Sequence, residues 1–400
     1  MNNETRKETQ VLPKDVRYVG ADDLTLPLFE NQYPVQPMGV SYNSYLILDE
    51  KIAVMDSVDA RAADEWLAKL AHELDGRSPD YLVISHMEPD HSGSILRLAE
   101  KYQEMKLVGN TKTFTMLRQF FGAKAPTDDR LLEVGEGETL PLGAHTLHFM
   151  LAPMVHWPEV MVAYEETEKL LFSADAFGRF GSLGRTANAP WAPQARRYYY
   201  NIVGKYGAQV QALLKKASAL EIKTVCPLHG PVLTGEALGE ALRLYDLWSR
   251  WQSESPDDIL LAHASIHGNT ARAAELFKQK LEAKGARVTL CDLTTTEVSY
   301  AVANAFYCGK LVLACSTYDG GLFPPMEEFL SHLQAKGFRS RTVGLMENGS
   351  WAPAAARLMR AKLEEMKDLR VCGTVVSLRS ALSPASEAQI DALTTELCAK

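Results

Sequence analysis

The segment YLVISHMEPDHSGSI, residues 81–95, places two histidines and two carboxylates within six consecutive positions, directly after an apolar run. These residues are His86, Glu88, Asp90 and His91. In an extended segment that leaves a strand, residues two apart point to the same side, so His86, Glu88 and Asp90 are expected to face together. Asp90 and His91 are neighbours and can reach two different points. Because crowding carboxylates without a cation is costly, the run favours metal ligands, and two ions rather than one.

Three further residues of ligand type follow apolar runs in the same part of the chain. His156 comes after LHFMLAPMV, Asp175 after KLLFSA, and His229 after KTVCPL. Loops at one edge of a sheet collect functional residues because the strands hold them in place. His145 and His148 lie within an apolar run rather than after it, and we assign them to the core or the surface.

The seven ligands can be shared between two ions if Asp175 bridges them. Each ion then receives two imidazoles and one terminal carboxylate. The first set is His86, Glu88 and His156, and the second set is Asp90, His91 and His229. Imidazole and carboxylate ligands in these numbers suit non-haem iron.

The carboxyl-terminal part of the chain carries a different kind of loop, HASIHGNTARAAE, between an apolar run and a helical pattern. The hydroxyls of Ser265 and Thr270, the amide of Asn269 and the N–H groups of the helix start form a neutral cradle for a phosphate monoester. The loop matches neither G-x-x-x-x-G-K-[ST] nor G-x-G-x-x-G, which disfavours a nucleoside triphosphate or a dinucleotide. An ordinary capped helix is the alternative interpretation.

Two later loops, CSTYDGGLFPPM and ENGSWAPAA, are rich in glycine and aromatic residues and follow the third and fourth apolar runs of this part. A sheet of the flavodoxin type holds its flavin ring at these positions. The residues expected at the cofactor are Ser265, Ile266, His267, Gly268, Asn269, Thr270, Ser316, Thr317, Tyr318, Asp319, Gly320, Gly321, Asn348, Gly349, Ser350 and Trp351.

The hydrophobic pattern predicts two α/β domains that position these loops. Short apolar runs, turn signals and helical segments alternate in the first part, which we bound at residues 1–252. The pattern predicts a hairpin in residues 40–57 and a helical stretch from about residue 193 to 220. The segment WQSESPDD, residues 251–258, is polar and contains a proline, which is typical of a linker. Beyond it, five strands alternate with five helices, which predicts a doubly wound parallel sheet in residues 258–400.

Composition excludes several classes of partner. A net charge of −8 disfavours nucleic acid and anionic membrane surfaces. The start of the chain, MNNETRKETQVLPKD, lacks the apolar core of a signal peptide, and we predict a cytoplasmic protein. The six cysteines show no C-x-x-C pair, which favours reduced thiols over a zinc or iron–sulfur site.

The motifs HMEPDHSG, HWPE, SADAFG and PLHG resemble the ligand motifs of the flavodiiron proteins, or A-type flavoproteins. The resemblance implies a metallo-β-lactamase-like αββα sandwich followed by a flavodoxin-like doubly wound sheet. Hydrolytic members of that superfamily carry H-x-H-x-D-H and a zinc pair, whereas Glu88 stands here in place of the second histidine, as expected of the iron-containing branch. The loop GLFPPM resembles the flavodoxin domain of the same family, which implies FMN.

The same resemblance implies an oxidoreductase that passes electrons from a donor through FMN to a diiron site, where nitric oxide is reduced to nitrous oxide, dioxygen to water, or both. Family members commonly use rubredoxin as the donor, and because the chain ends at Lys400 we expect no fused rubredoxin domain. A head-to-tail homodimer, alone or as a dimer of dimers, is also implied. The alternative from another class is a zinc-dependent hydrolase domain fused to a flavodoxin electron carrier.

Overall fold

The computed structural model describes residues 11–399. The first ten residues, on which most of the signal-peptide prediction rests, and Lys400 lie outside this range. The chain divides into two compact units. The first comprises the residues up to Tyr199 together with Ala208–Asp246, and the second comprises Tyr200–Gly207 together with the residues from Leu247 onward.

The first unit contains two six-stranded sheets and two small two-stranded ones within residues 11–399. In spatial order, the strands of the first sheet are Val16–Tyr18, Tyr45–Ile47, Ala53–Met55, Tyr81–Val83, Lys106–Gly109 and Leu131–Glu133. Those of the second are Thr139–Pro141, Thr146–Leu151, Met161–Glu165, Leu170–Phe172, Thr224–Cys226 and Leu233–Thr234. The small sheets pair Ala21–Asp23 with Val40–Tyr42 and Leu28–Phe29 with Tyr33–Pro34.

The two large sheets share one apolar core. Ile47 and Met55 of the first sheet and Phe149 and Phe172 of the second are buried in the same cluster. Removal of this apolar surface from water is the main term that holds the sheets together. The predicted hairpin in residues 40–57 is confirmed, because Tyr45–Ile47 pairs with Ala53–Met55 in antiparallel register.

The helices between these strands form where apolar residues repeat at helical spacing. Ala63–Leu74 buries Trp66, Leu70 and Leu74 on one face and ends at Asp75, which is left-handed. The other α-helices from Pro89 to Ser249 are Pro89–Ser92, Ile95–Lys101, Thr111–Phe121, Leu183–Thr186, Trp191–Tyr198, Gly207–Ala217 and Gly235–Ser249. Short 3₁₀ turns occur at Ala60–Ala62, Gly122–Lys124, Asp128–Arg130 and Gly204–Tyr206.

The helical stretch predicted from about residue 193 to 220 is interrupted. A π-helical segment, Tyr199–Val203, and the turn Gly204–Tyr206 separate its two α-helices. Tyr199 and Tyr200 are fully buried here. A π turn is wider than an α-helical turn and accommodates these two consecutive large rings.

The second unit contains a parallel sheet with the spatial order Val288–Asp292, Ser255–Ala264, Cys308–Tyr318, Thr342–Asn348 and Arg370–Leu378. Its α-helices from Asn269 onward are Asn269–Ala283, Val298–Tyr307, Pro324–Ala335, Ala355–Glu364 and Pro384–Cys398. A short strand, Gly321–Leu322, pairs with the end of the third strand. The predicted doubly wound sheet is therefore confirmed. Successive strands are added in opposite directions on the two sides of the gap between Ser255–Ala264 and Cys308–Tyr318, and sheets of this type bind ligands at such a point.

The predicted linker is shorter than the sequence pattern indicated. The strand that we expected at Ile259 begins at Ser255, which pairs with Cys308, and its register then shifts before Ile259 pairs with Lys310. Pro256 has no N–H for a regular ladder, so the irregular register allows the strand to continue through it.

All six cysteines are free thiols, and five of them are buried. Across the described part of the chain, the helices are too short or too polar to cross a lipid bilayer.

Candidate metal centre and cofactor cleft

The structure brings the seven predicted ligands of the first unit together in two groups. The first group is His86, Glu88, His156 and Asp175, and the second is Asp90, His91 and His229. Within each group, one donor atom of every residue lies within 4.8 Å of the others. The division of terminal ligands is the one expected for two ions.

Asp175 lies between the two groups. Its Oδ2 is 3.3 Å from His86 Nε2 and 3.1 Å from His156 Nε2. Its Oδ1 is 3.4 Å from His91 Nε2 and 3.6 Å from His229 Nε2. One carboxylate thus presents a different oxygen to each group, which is the geometry required of a bridging ligand.

Each group closes around a small volume. In the first, Glu88 Oε2 is 3.3 Å from His86 Nε2 and 3.1 Å from His156 Nε2. In the second, Asp90 Oδ2 is 3.3 Å from His91 Nε2 and 3.2 Å from His229 Nε2. His91 Nε2 and His229 Nε2 are 3.0 Å apart. Two ring nitrogens at this distance, with carboxylate oxygens beside them, converge on a point that suits a cation.

We expected His86, Glu88 and Asp90 to face together on an extended segment, and this expectation was wrong for Asp90. The chain is not extended there, because Pro89–Ser92 forms one helical turn with Glu88 at its start. That turn carries Asp90 away from Glu88 and into the second group together with His91. His156, Asp175 and His229 each follow a strand of the second sheet, and those three strands run in the same direction.

The buried polar atoms of the site fit a metal pair. Among residues 11–399, both oxygens of Asp90, both oxygens of Asp175 and the Nε2 of His156 are buried without a hydrogen-bond partner. Buried carboxylates in this state are costly unless a cation compensates them. Four imidazoles and three carboxylates, without a thiolate, form a donor set that suits iron.

The close imidazoles and carboxylates of the site shift one another's pKa values strongly. Burial tends to lower the pKa of His156, but Asp175 and Glu88 outweigh it and raise this pKa to about 9. Burial tends to raise the pKa of Glu88, but the adjacent imidazoles of His156 and His86 outweigh it and lower this pKa to about 2. The pKa of Asp175 is held well below its ordinary value by the surrounding imidazoles, against the effect of burial. The imidazoles therefore retain protons that a bound metal would displace.

Residues outside the two groups orient the imidazoles. Glu159 is buried, and its Oε1 lies 2.7 Å from His86 Nδ1 and accepts the Met87 N–H at 2.9 Å. His229 Nδ1 lies 2.7 Å from the backbone oxygen of Ser41. These contacts place the Nδ1 proton on the outer side of each ring, which leaves Nε2 free to bind metal.

Glu159 belongs to the motif HWPE, but its role was not predicted. Its only signal in the sequence is a carboxylate close to His156, whereas the ring that it contacts is that of His86. Two neighbours of the ligands, Met154 and Ala174, adopt positive φ of 64° and 50°. Strained backbone of this kind is concentrated at functional sites.

A cavity of about 620 Å³ opens onto both groups, since Glu88 and Asp90 line it together with Tyr42, Arg61 and Trp157. The Trp157 ring centroid is 5.1 Å from that of His86, and Phe29 is 5.3 Å from His229. Aromatic rings therefore lie beside the ligands, and the cavity has room for a small molecule.

His145 and His148 take no part in either group. His145 is buried and its Nδ1 lies 3.0 Å from Glu165, and His148 pairs with Glu166 on the surface at 2.8 Å. They occupy the core and surface positions expected of them.

The second unit has a cleft of about 540 Å³ at the carboxyl ends of its strands. All the residues expected at the cofactor line it except Gly268 and Gly321. Gly268 instead adopts a φ of 87° directly before the helix Asn269–Ala283, a conformation for which glycine is suited. The helix start supplies unpaired N–H groups, which favour an anion such as a phosphate.

Two lining residues, Ala352 and Ser380, were missed. Ser380 follows the fifth strand, whose loop carries no glycine or aromatic signal in the sequence. Trp351 is 89% exposed at the edge of the cleft, so its ring is open to contact by a bound or docked group.

Comparison with known proteins agrees with this fold. A family model described as ODP family beta lactamase matches residues 40–230. The rubredoxin-oxygen oxidoreductase of Megalodesulfovibrio gigas is 27% identical over 87% of this chain and 87% of that protein. The anaerobic nitric oxide reductase flavorubredoxin of Vibrio vulnificus is 26% identical over 88% of this chain and 72% of that protein. The solved structure of rubredoxin oxygen:oxidoreductase from the anaerobe Desulfovibrio gigas matches with a TM-score of 0.89, at 24% identity and 97% coverage of each chain.

The predicted fold class is confirmed: a metallo-β-lactamase-like αββα sandwich is followed in the chain by a flavodoxin-like doubly wound sheet. Over most of its length the chain is similar to flavodiiron proteins, among them the flavo-diiron protein FprA2 of Clostridium acetobutylicum, which is 26% identical over 82% of this chain and 84% of that protein.

Proposed function

We propose that this protein is an oxidoreductase that takes electrons from a donor protein, holds FMN in the second unit and reduces a small gas at a diiron site in the first. The ligands are the seven residues of the two groups, and the cofactor residues are those that line the cleft. The domains that carry the two functions are residues 1–252 and 258–400.

The bridging position of Asp175 is the observation that carries the proposal. Its two oxygens face two groups, each with two imidazoles and a terminal carboxylate. Such a set neutralises much of the charge of two divalent ions and leaves coordination positions for a ligand. Glu88 provides an oxygen ligand where a second imidazole would favour zinc.

FMN held in the cleft would accept and release electrons singly or in pairs, and an iron pair held by the seven ligands would supply the redox chemistry for reduction of a gas, with the donor protein as the source of the electrons. The protein holds the ligands rigidly, and Trp157 and Phe29 lie beside them. No protein nucleophile is required. The cavity that Glu88 and Asp90 share admits a molecule as small as nitric oxide or dioxygen.

Relatives indicate the substrate and the donor. One is named a rubredoxin-oxygen oxidoreductase and another an anaerobic nitric oxide reductase flavorubredoxin. We assign rubredoxin as the donor, with nitric oxide, dioxygen or both as substrate. A cytoplasmic head-to-tail homodimer, in which the FMN of one subunit faces the diiron site of the other, is part of the proposal. The free thiols of all six cysteines support a reducing compartment.

Metal and flavin analysis of the purified protein tests the proposal. About two irons and one FMN per chain are expected, and amperometry of the reduced protein should show consumption of one or both gases. Zinc in place of iron, with thioesterase or esterase turnover and no gas consumption, would instead establish the hydrolase alternative.

A further inference from the structure

Three polar side chains and the backbone of a fourth residue form one continuous chain of hydrogen bonds beside the cofactor cleft. Ser316 Oγ lies 2.8 Å from Thr270 Oγ1, and Asn348 Nδ2 donates to Thr270 Oγ1 at 3.3 Å. Asn348 Nδ2 also donates to the backbone oxygen of Ser380 at 2.9 Å, and Asn348 Oδ1 accepts the Ser380 N–H at 3.0 Å. Asn348 is therefore the member that joins both ends of this chain.

The four residues come from four separate connections of the sheet. Thr270 opens the helix after the first strand of the unit, and Ser316 lies at the end of the strand Cys308–Tyr318. Asn348 ends the strand Thr342–Asn348, and Ser380 follows the strand Arg370–Leu378. All four line the cleft. The chain of hydrogen bonds thus connects the four segments that would surround a flavin.

Asparagine has the chemistry that this central position requires. Its amide donates two hydrogens and accepts at its oxygen, which satisfies Thr270 and both backbone groups of Ser380 at once. Ser380 has a φ of 69°, which is unfavourable for a residue with a side chain. The paired hydrogen bonds from Asn348 compensate for this conformation. Asn348, Thr270 and Ser316 are all buried, so unmade hydrogen bonds among them would be costly.

We propose that Asn348 is a positioning residue that holds the four segments of the cleft in their flavin-binding arrangement before the flavin arrives. The inference rests on the proposed FMN site. Its physical basis is preorganisation: segments that are already ordered lose less conformational entropy when the ligand binds, so the affinity is higher. Ser380 depends most on Asn348, because its N–H and its carbonyl oxygen both bond to that one side chain.

The neighbouring helix has independent support, so loss of Asn348 should not unfold the unit. The N–H groups of Ala354 and Ala355 donate to Thr317 Oγ1 at 3.0 and 3.3 Å, and Ala356 N–H donates to Glu347 at 3.0 Å. These contacts fix the start of the helix Ala355–Glu364 without Asn348.

The test uses the full chain after removal of flavin, with FMN affinity measured by fluorescence titration. Asn348→Ala should raise the Kd for FMN by about 10- to 100-fold, since hydrogen bonds of a buried amide are lost. Ser377→Ala is the matched control: Ser377 lies in the strand Arg370–Leu378 that leads to Ser380 and donates to Glu347 at 3.0 Å, but it is not among the residues that line the cleft. Its Kd should change much less.

Amide hydrogen exchange of the flavin-free protein separates positioning from direct contact with the flavin. If Asn348 positions the loop, the Ser380 amide should exchange at least about tenfold faster in Asn348→Ala than in the wild type. A residue that only touched the flavin would leave this rate unchanged. If Asn348→Ala is poorly folded, Asn348→Leu keeps the volume of the side chain without its hydrogen bonds and gives a second test of the Ser380 exchange rate.

An unchanged Ser380 exchange rate, or a Kd for Asn348→Ala equal to that of Ser377→Ala, would overturn the inference. A wild-type protein that bound no FMN would instead contradict the proposed function. The exchange comparison would still decide whether Asn348 organises the cleft.

Discussion

At the scale of single residues, the metal centre depends on side chains that are not ligands themselves. Glu159 shares its Oε1 between His86 Nδ1 and the N–H of Met87, and Asn110 donates to the Glu159 backbone oxygen at 2.6 Å. One oxygen of the carboxylate therefore has two partners, and the backbone of the same residue is held by Asn110. The carboxylate sets which nitrogen of His86 carries the proton and leaves Nε2 directed at Asp175 and Glu88.

Glu159→Gln should weaken iron binding about 10- to 100-fold while the ligands remain in place. The amide oxygen can still accept both hydrogen bonds, but it lacks the charge that makes His86 a stronger donor to metal. Fe(II) titration of the metal-depleted protein measures the affinity, and FMN absorbance serves as the control. An affinity equal to that of the wild type would show that Glu159 has no influence on the site.

Asp175→Ala should remove more iron than any terminal-ligand variant, because Asp175 faces both groups. His229→Ala, which affects the second group alone, should lose about half of the iron. Iron per chain, measured by plasma emission, provides the comparison, and FMN content should be unaffected in both. Retention of two irons in Asp175→Ala would exclude a bridging role.

At the scale of elements, the loop that carries His229 is held by the first sheet. Asn43, between the strands Val40–Tyr42 and Tyr45–Ile47, donates through Nδ2 to the backbone oxygens of Pro227 and Gly230 at 2.8 and 2.7 Å. The Tyr45 hydroxyl donates to Pro227 as well, at 3.0 Å. The two sheets are thus tied together directly beside a ligand.

Asn43→Ala should lower the free energy of unfolding by about 1–3 kcal/mol for each buried carbonyl left without a donor. Tyr45 still serves Pro227, so the Gly230 oxygen is the more affected group. Urea denaturation measures the loss, and iron content should fall because His229 is less well held. Tyr45→Phe is the control, since it removes the hydroxyl bond to Pro227 but leaves both bonds from Asn43 to the loop in place, and it should have a smaller effect on iron.

At the scale of the whole molecule, the site couples protonation to stability and to metal binding. In the metal-free protein, His156 has a pKa raised from 6.5 to about 9, and the pKa values of His86 and His91 are raised too. A raised pKa adds stability that is complete below the unfolded value and disappears as pH rises through the folded value. The depressed pKa values of Glu88 and Asp175 keep both carboxylates ionised through this range.

The free energy of unfolding of chelator-treated protein should therefore decrease between about pH 6.5 and pH 9. The affinity for Fe(II) should increase over the same range, because fewer protons must be displaced from the imidazoles. Urea denaturation and metal titration at the two pH values measure these opposite trends. A metal-free protein that became more stable as pH rose would show that the imidazoles are not protonated as described.

The proposed head-to-tail homodimer makes activity depend on two chains. His91→Ala should inactivate the metal site, and Thr270→Glu should expel FMN by placing a charge and a larger side chain at a buried position. Neither variant should turn over alone, but a reassembled mixture should recover part of the wild-type rate. If the subunits exchange and the mixture stays inactive, electrons pass within one chain.

The sequence by itself determined the chemical class of the residues and the alternation of elements. Ligand-type residues after apolar runs indicated a metal site, and regular strand and helix patterns predicted the doubly wound sheet that the structure has. These features are local, because strand and helix periodicity and the side chains that follow each strand can be read within a short window. Segments with mixed signals, such as residues 251–258 and 199–206, were the ones assigned imperfectly.

The division of the ligands into two sets was predicted, but the tertiary structure alone decided which backbone conformation produces it and which residues support it. Asp90 joins His229, a ligand far along the chain, because one helical turn at Pro89–Ser92 redirects it. Asn43 and Pro227 are 184 positions apart, and Glu159 and His86 are 73 apart. Such partners have no common sequence signal, since their approach results from packing of the whole sheet and its core rather than from local conformational preference.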